Sequence, residues 1–339
     1  MSNKQVADAE ALMKEAKKIS TRGLFNLSPD YDAAASKYEK AGTLFKVGRK
    51  PDQAVICFRL AGDNFLRTNS DYLAGKNYEQ AANTLKDEKK IIEAIPDYEL
   101  AGKTYLEGGK PDRCAEAWVK CAKLLEKEGP AYKDKCISLY ERAIEVVTND
   151  DKDHLATDTY RAFNAYLVRE KYFREAIDNI KKQITSYRKL KQDSNLHKAY
   201  LSVIILHLAL SDWAEADNCQ HTFLEKTPDY GSTDEQYIAS GLLNAFEKLD
   251  QKQLDEVLNN NKLKYLESEV AKLVKKLKIS GSVAPTKTTT QTTKSQQKTA
   301  QKAALLGDSD DEEEEEPEPE PEQPNQEDEP DAFDPYDLT

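Results

Sequence analysis

Cysteine, histidine, methionine and tryptophan are all scarce in this chain. Its 339 residues include 5 Cys, 4 His, 2 Met and 2 Trp, which excludes a fold held together by disulfides. The longest apolar run, from Leu201 to Leu210, contains His207 and is far too short to cross a bilayer. The N-terminal residues Met1 to Leu12 lack the apolar core of a secretion signal. We therefore expect an intracellular protein whose thiols are reduced.

Recognisable catalytic and metal-binding motifs are also missing. The run Gly108-Gly109-Lys110-Pro111 lacks the spacing and the hydroxyl residue of a phosphate-binding loop, and no glycine-rich dinucleotide fingerprint occurs. The four histidines follow no metal-ligand spacing, and the five cysteines lie in predicted helices, where small core residues are expected. The sequence therefore predicts a protein that is not an enzyme and that holds neither a metal nor a cofactor.

Charge is distributed unevenly along the chain. The net charge is −12, yet residues 308–339 alone hold 17 acidic side chains and no basic one, while residues 281–307 hold four lysines and no acid. The remainder, residues 1–280, is close to neutral, which argues against general nucleic-acid binding. We predict a flexible Thr/Gln/Lys linker over 281–307 and a disordered acidic tail over 308–339, whose apolar end includes Leu338.

A 20-residue repeat dominates the first half of the sequence. Aromatic residues recur at positions 38, 58, 78, 98 and 118. Each is followed by two small residues three and four positions later, and by a large apolar residue at the seventh. This spacing predicts one face of an α-helix in every unit. The aromatic side chain fills space, and the small pair allows a neighbouring helix to approach closely. The pattern then slips by two residues, to Tyr140, and the strict repeat fades.

Turn signals separate the units and predict the architecture. Pro51-Asp52 and Gly129-Pro130 are typical of helix boundaries. Each unit leaves room for about 15 helical residues, and short turns make consecutive helices antiparallel. We therefore predict an all-α, TPR-like solenoid of antiparallel helical hairpins. Because Thr227-Pro228 interrupts the chain, we expect the solenoid over 1–228 and a small C-terminal helical bundle over 229–280.

Two further features each allow a structural and a functional interpretation. Leu24, Phe25 and Leu27 lie in a Gly/Pro-bounded loop, which either packs onto the next helix as a hydrophobic staple or touches a membrane weakly and reversibly. Basic clusters at Lys181-Lys182 and around Lys275 are either solvated helix faces or a surface for an acidic helical partner.

Residues 29–41, Pro-Asp-Tyr-Asp-Ala-Ala-Ala-Ser-Lys-Tyr-Glu-Lys-Ala, and the units that follow them resemble soluble NSF attachment proteins (SNAPs), the gamma type in particular. The order of features is also similar, from the apolar loop to the penultimate leucine. The resemblance implies an adaptor that lies along syntaxin-like, four-helix SNARE complexes and recruits the AAA ATPase NSF, which takes them apart in vesicle transport. It implies that Leu24 and Phe25 touch the membrane and that Leu338 stimulates the ATPase.

The resemblance also implies basic SNARE-binding residues, for which Lys181, Lys182 and Lys275 are the candidates. It implies a cytoplasmic protein, peripheral on the cytosolic face of membranes. The linker and acidic tail are longer than the usual family ending. The alternative is a general helical-repeat scaffold or co-chaperone that is unrelated to SNAREs.

Overall fold

Helices account for nearly all of the chain that the structure describes. This computed structural model describes residues 2–21, 28–149 and 152–279, and within those ranges it holds fourteen α-helices and no strand. They are α1 (Ser2–Ser20), α2 (Tyr31–Val47), α3 (Pro51–Leu66), α4 (Asp71–Asp87), α5 (Ile91–Glu107), α6 (Pro111–Leu125), α7 (Lys133–Thr148), α8 (Asp153–Arg169), α9 (Phe173–Lys189), α10 (Asp193–Ala209), α11 (Trp213–Lys226), α12 (Asp234–Glu247), α13 (Gln251–Leu258) and α14 (Ser268–Val274). The all-α prediction is confirmed.

Four helices, α2, α11, α12 and α13, begin where a side chain accepts a hydrogen bond from a free backbone N–H group. The Asp30 carboxylate accepts a hydrogen bond from the Ala33 N–H at 2.9 Å, and Asp212 does the same for Glu215 at 3.2 Å. Helices α3 and α6 instead begin with proline, which has no N–H group to satisfy.

A recurring turn reverses the chain between helices. Its third residue adopts positive φ, and these residues lie 20 apart at Arg49, Asn69, Lys89 and Gly109, and again at Lys171, Lys191 and Ser211. The next residue closes the turn, as when the Lys90 N–H donates to the Leu85 carbonyl at 2.9 Å. Because the same turn recurs, consecutive helices pack antiparallel on each other. The solenoid of helical hairpins is confirmed.

The 20-residue register continues beyond the point where the sequence pattern fades. Tyr140, Tyr160, Ile180 and Tyr200 are buried at that spacing. The two small residues that follow each aromatic residue are not kept in these later units. Phe163 and Asn164, and the residues at the equivalent positions further on, place larger buried side chains there. The later helices therefore keep the spacing of the earlier ones while packing through different side chains.

In the first half, aromatic rings pack directly on glycines of the preceding helix. A Cβ atom added at Gly62 would lie 2.8 Å from the ring of Tyr78, and one added at Gly102 would lie 2.2 Å from Trp118 Nε1. The polar tip of each ring is also bound, because the Tyr78 hydroxyl donates to Asp63 at 2.7 Å. The Trp118 Nε1–H donates to the Glu99 carbonyl at 3.3 Å. These contacts are possible only because the small residues leave the backbone uncovered.

Ion pairs connect helices that are two apart and so divide the array into two layers. In the layer of even-numbered helices, Lys76 contacts Glu39 at 2.8 Å and Arg169 contacts Glu126 at 2.8 Å. In the odd-numbered layer, the Arg59 guanidinium contacts Asp97 at 2.8 Å. An exposed pair such as Lys76–Glu39 contributes at most about 1 kcal/mol, so pairs of that kind select the register of the layers more than they stabilise the fold.

The last helices fold back onto the array. Helix α14 packs on α8 and α10, and α12 packs on α10. Asn164 and Gln183 donate to the carboxylate of Glu267, just before α14, at 3.5 and 3.4 Å. All described residues belong to one compact unit, Met1–Ala284. The boundary between solenoid and bundle at 228 stays a prediction. The predicted linker (281–307) and acidic tail (308–339) lie outside the described residues.

The ring–glycine contact makes the stability of the array sensitive to one methyl group. We expect Gly102→Ala to lower the free energy of unfolding by about 1–2 kcal/mol. The new Cβ would displace the Trp118 ring, at a cost larger than the gain of roughly 1 kcal/mol in helix propensity. Urea unfolding followed by circular dichroism measures the difference. Gly231→Ala is the control, because its Cβ would meet only Leu224 at an ordinary 3.5 Å. Equal stability of the two variants would contradict the packing argument.

A candidate interaction surface

A groove of about 530 Å³ opens on the side of the array that carries the even-numbered helices. Helices α4, α6 and α8 supply most of its lining, and α5 and α7 each contribute a tyrosine from the other layer. The lining residues are Asn83, Lys86, Tyr98, Lys120, Lys123, Leu124, Glu126, Lys127, Tyr140, Ala162, Ala165 and Arg169. The groove runs across several helices, and helical-repeat proteins use such extended surfaces to bind elongated partners.

The lining of the groove is strongly basic. It includes four lysines and one arginine, and Glu126 is the one acidic residue among the lining side chains. The Glu126 carboxylate is already occupied, since it accepts a hydrogen bond from the Tyr140 hydroxyl and pairs with Arg169. The groove therefore presents net positive charge to any partner.

A buried carboxylate holds one wall of the groove in place. The Lys120 ammonium lies 2.6 Å from Glu79, which is 7% exposed. The Tyr105 hydroxyl and Arg113 also donate to Glu79, at 2.8 and 3.0 Å. Burial by itself would raise the pKa of Glu79, but the hydrogen bonds from Lys120 and Tyr105 outweigh burial and hold that pKa below its usual value. Glu79 therefore stays ionised and ties α4, α5 and α6 together.

Lys123 and Lys127 are the free cations of the groove. Both are exposed, and neither forms an ion pair with a carboxylate in the part of the chain that the structure describes. Lys86 donates only to the Asn83 amide oxygen, at 3.3 Å. An external acidic group could bind these cations without first breaking an internal ion pair.

The basic residues singled out from the sequence lie elsewhere. Lys181 and Lys182 are exposed on α9, in the odd-numbered layer, and Lys182 lies 3.7 Å from Glu141. Lys275 is exposed directly after α14. None of the three lines the groove. Their role in partner binding stays a prediction.

Sequence reasoning missed the groove because its cations come from separate units. Lys86 belongs to one unit, while Lys123 and Lys127 belong to another, where three non-basic residues (124–126) separate them. No run of adjacent basic residues marks them. Comparing the basic residues at the exposed end of every second helix would have shown that positive charge accumulates there.

The membrane-contact and ATPase predictions concern residues outside the described ranges. Leu24, Phe25 and Leu27 lie in the gap between 21 and 28, and Leu338 follows 279. Among the helices that the structure describes, none combines the length and apolar character needed to cross a membrane.

Comparison with known proteins identifies the family. The family model described as "Soluble NSF attachment protein, SNAP" matches residues 7–280, which is most of the chain. The chain belongs to the SNAP family. The match runs from within α1 to the end of the C-terminal helices, so it includes the residues that form the groove.

Curated relatives of this SNAP-family chain carry the gamma designation, as the sequence resemblance predicted. "Gamma-soluble NSF attachment protein" of Dictyostelium discoideum is 32% identical over 282 residues, which is 82% of this chain and 85% of the relative. The protein of the same name from Arabidopsis thaliana is 29% identical, over 80% of this chain and 92% of the relative. The predicted family membership is confirmed.

A more distant structural likeness adds nothing about function. The crystal structure of BtubC from P. vanneervenii aligns over 68% of this chain and 93% of its own, with 15% identity and a TM-score of 0.37. We therefore base the functional argument on the family match and the groove.

Proposed function

We propose that this chain is an adaptor that binds SNARE complexes at membranes and recruits and stimulates an NSF-type ATPase, which then disassembles them. The observation that carries the proposal is the family match over residues 7–280. The names of both relatives describe attachment to NSF. The fold suits such a role, because a helical array presents a long surface to an elongated partner.

The basic groove is our candidate for the SNARE contact. Lys123, Lys127 and Lys86 lie together at one surface and lack carboxylate partners among the described residues. A bundle of helices with acidic outer faces is complementary to that surface. Exposed charge pairs contribute about 0.2–1 kcal/mol each, so several contacts together would give moderate affinity that weakens as salt rises.

We place the protein on the cytosolic face of membranes as a peripheral protein. Leu24, Phe25 and Leu27 would insert weakly and reversibly, because burying one such side chain contributes about 1.5–3 kcal/mol. We further propose that the chain has no catalytic activity and that the ATPase performs the chemistry. Family members are attachment proteins by name, which supports this assignment.

Reconstituted SNARE disassembly with NSF, with and without this protein, tests the proposed function. We expect ATP-dependent disassembly only when the protein is present, and capture of SNAREs together with NSF in the ATP-locked state. Capture of a chaperone, with no effect on disassembly, would favour the scaffold or co-chaperone alternative.

Charge reversal in the groove tests the proposed SNARE surface. We expect Lys123→Glu combined with Lys127→Glu to weaken SNARE-complex binding about 10-fold, because two attractions become repulsions. Isothermal titration calorimetry at low salt measures the affinity. Lys14→Glu combined with Lys40→Glu is the matched control, since it changes the net charge equally outside the groove. Equal affinity of the groove variant and the control would contradict the assignment.

The α9 pair that the sequence predicted provides a comparison. We expect Lys181→Glu with Lys182→Glu to cause a smaller loss than the groove variant, because Lys182 already lies 3.7 Å from Glu141. If the α9 variant lost more SNARE affinity than the groove variant, the result would indicate that SNAREs bind the odd-numbered layer instead.

The apolar loop is tested by Leu24→Ser with Phe25→Ser. We expect slower disassembly of liposome-bound SNARE complexes and an unchanged rate on detergent-soluble complexes, because only the membrane contact is removed. Equal losses in both assays would instead indicate a structural staple.

The penultimate leucine is tested by Leu338→Ala. We expect weaker stimulation of NSF ATPase activity with SNARE binding intact, measured by phosphate release and by pulldown. Ser309→Ala serves as a control in the same C-terminal region. If the Leu338 variant stimulated the ATPase fully, Leu338 would have no role in that stimulation.

A further inference from the structure

A cluster of potential metal ligands lies in the hairpin formed by α10 and α11. The turn at Ser211, whose φ is 59°, folds α11 back along α10, so that the last turn of α10 faces the first two turns of α11. His207 belongs to the former, and Glu215 and Cys219 belong to the latter. Glu215 and Cys219 are four residues apart and therefore share one face of α11.

His207 is buried without a partner for its ring. The residue is 7% exposed, and neither ring nitrogen has a hydrogen-bond partner. Its Nδ1 atom lies 3.8 Å from Asp212 Oδ2, which is beyond hydrogen-bond distance. Buried polar groups are normally satisfied, because an unsatisfied one costs about 1–3 kcal/mol. Both ring nitrogens of His207 are therefore available to a ligand.

The neighbouring donor atoms fit a metal ion in both type and spacing. One ligand atom each from His207, Glu215 and Cys219 lies within 4.8 Å of the other two, and the Cys219 Sγ to Glu215 Oε1 distance is 3.7 Å. A tetrahedral zinc ion places adjacent donors about 3.3–3.8 Å apart, so small side-chain rotations would close the site. Within the ranges that the structure describes, no other group of three or more such side chains meets this spacing.

We propose that His207, Glu215 and Cys219 bind a zinc ion that fastens α10 to α11. Three protein ligands leave a fourth position for Asp212 Oδ2 or for water. The other oxygen of that carboxylate, Oδ1, accepts the hydrogen bond that caps α11, so the same residue can serve both purposes. The site lies outside the basic groove and is independent of the proposed adaptor function.

The charges around the site suit a divalent cation. Asp212, Glu215 and the Cys219 thiolate would supply three negative charges. Lys181 on α9 is the nearby cation that acts on both His207 and Cys219. A net charge of about −2 would balance Zn²⁺, whose ligands bind in their deprotonated forms. This assignment differs from the prediction that the chain holds no metal. Sequence reasoning missed it because His207 lies on a different helix from Glu215 and Cys219, and the spacing of the three matches no familiar motif.

Cobalt titration of the full-length, chelator-treated protein tests the proposal. We expect one equivalent of Co²⁺ to produce a sulfur-to-cobalt charge-transfer band, which Zn²⁺ then removes by displacing the cobalt. Cys219→Ser should abolish that band, whereas Cys114→Ser, which replaces a buried cysteine outside the cluster, should retain it. We also expect Zn²⁺ to raise Tm by roughly 3–8 °C.

A second variant keeps the test independent of folding. Glu215→Gln keeps the shape of the side chain, and it should weaken Co²⁺ affinity at least about 10-fold. Circular dichroism checks that each variant is helical. Cobalt bound only by the acidic residues of 308–339 would give no sulfur band, and that result would overturn the proposal. A band that persists in Cys219→Ser would overturn it equally.

Discussion

The close approach of an aromatic ring to an uncovered backbone is the contact on which the array depends. Where Gly62 meets Tyr78 and Gly102 meets Trp118, the separation leaves no room for a Cβ atom. Each ring thereby sets the distance between two consecutive helices, and its polar tip fixes the rotation through a hydrogen bond to the preceding unit. The contact recurs at Gly42–Phe58, Gly62–Tyr78 and Gly102–Trp118, and where glycine is absent alanine keeps the position small. A local rule thus generates the regular stacking of the first half.

Charged side chains and packing contacts play different roles in the array. In the even-numbered layer several basic side chains pair with carboxylates two helices away, and Glu79 accepts two of them, Arg113 and Lys120. In the groove, Lys123 and Lys127 have no carboxylate partner among the described residues, and they lie beside a wall that Glu79 anchors. Binding there would break no internal ion pair, although it would have to order both lysine side chains.

The sequence predicted the helices, their antiparallel order and the family, because a fixed period and turn chemistry are local properties. It did not reveal that the register continues past Tyr140, since Phe163 and Val203 occupy positions that were small before. The adjacent pair Lys181-Lys182 was conspicuous, whereas the groove cations are brought together only by stacking. His207 and Cys219 meet for the same reason. Contacts between residues on different helices are the feature that is hardest to predict from the order of residues along the chain.

The return of α14 to α8 has a consequence for how the chain acquires its structure. Contacts along the array join neighbours in sequence, so hairpins can form one after another as synthesis proceeds. The Asn164–Glu267 contact instead spans 103 residues, and loop closure over that distance comes late. Until the C-terminal helices leave the ribosome, the apolar surfaces of α8 and α10 remain uncovered. That interval is when a nascent chain of this design most needs protection from aggregation.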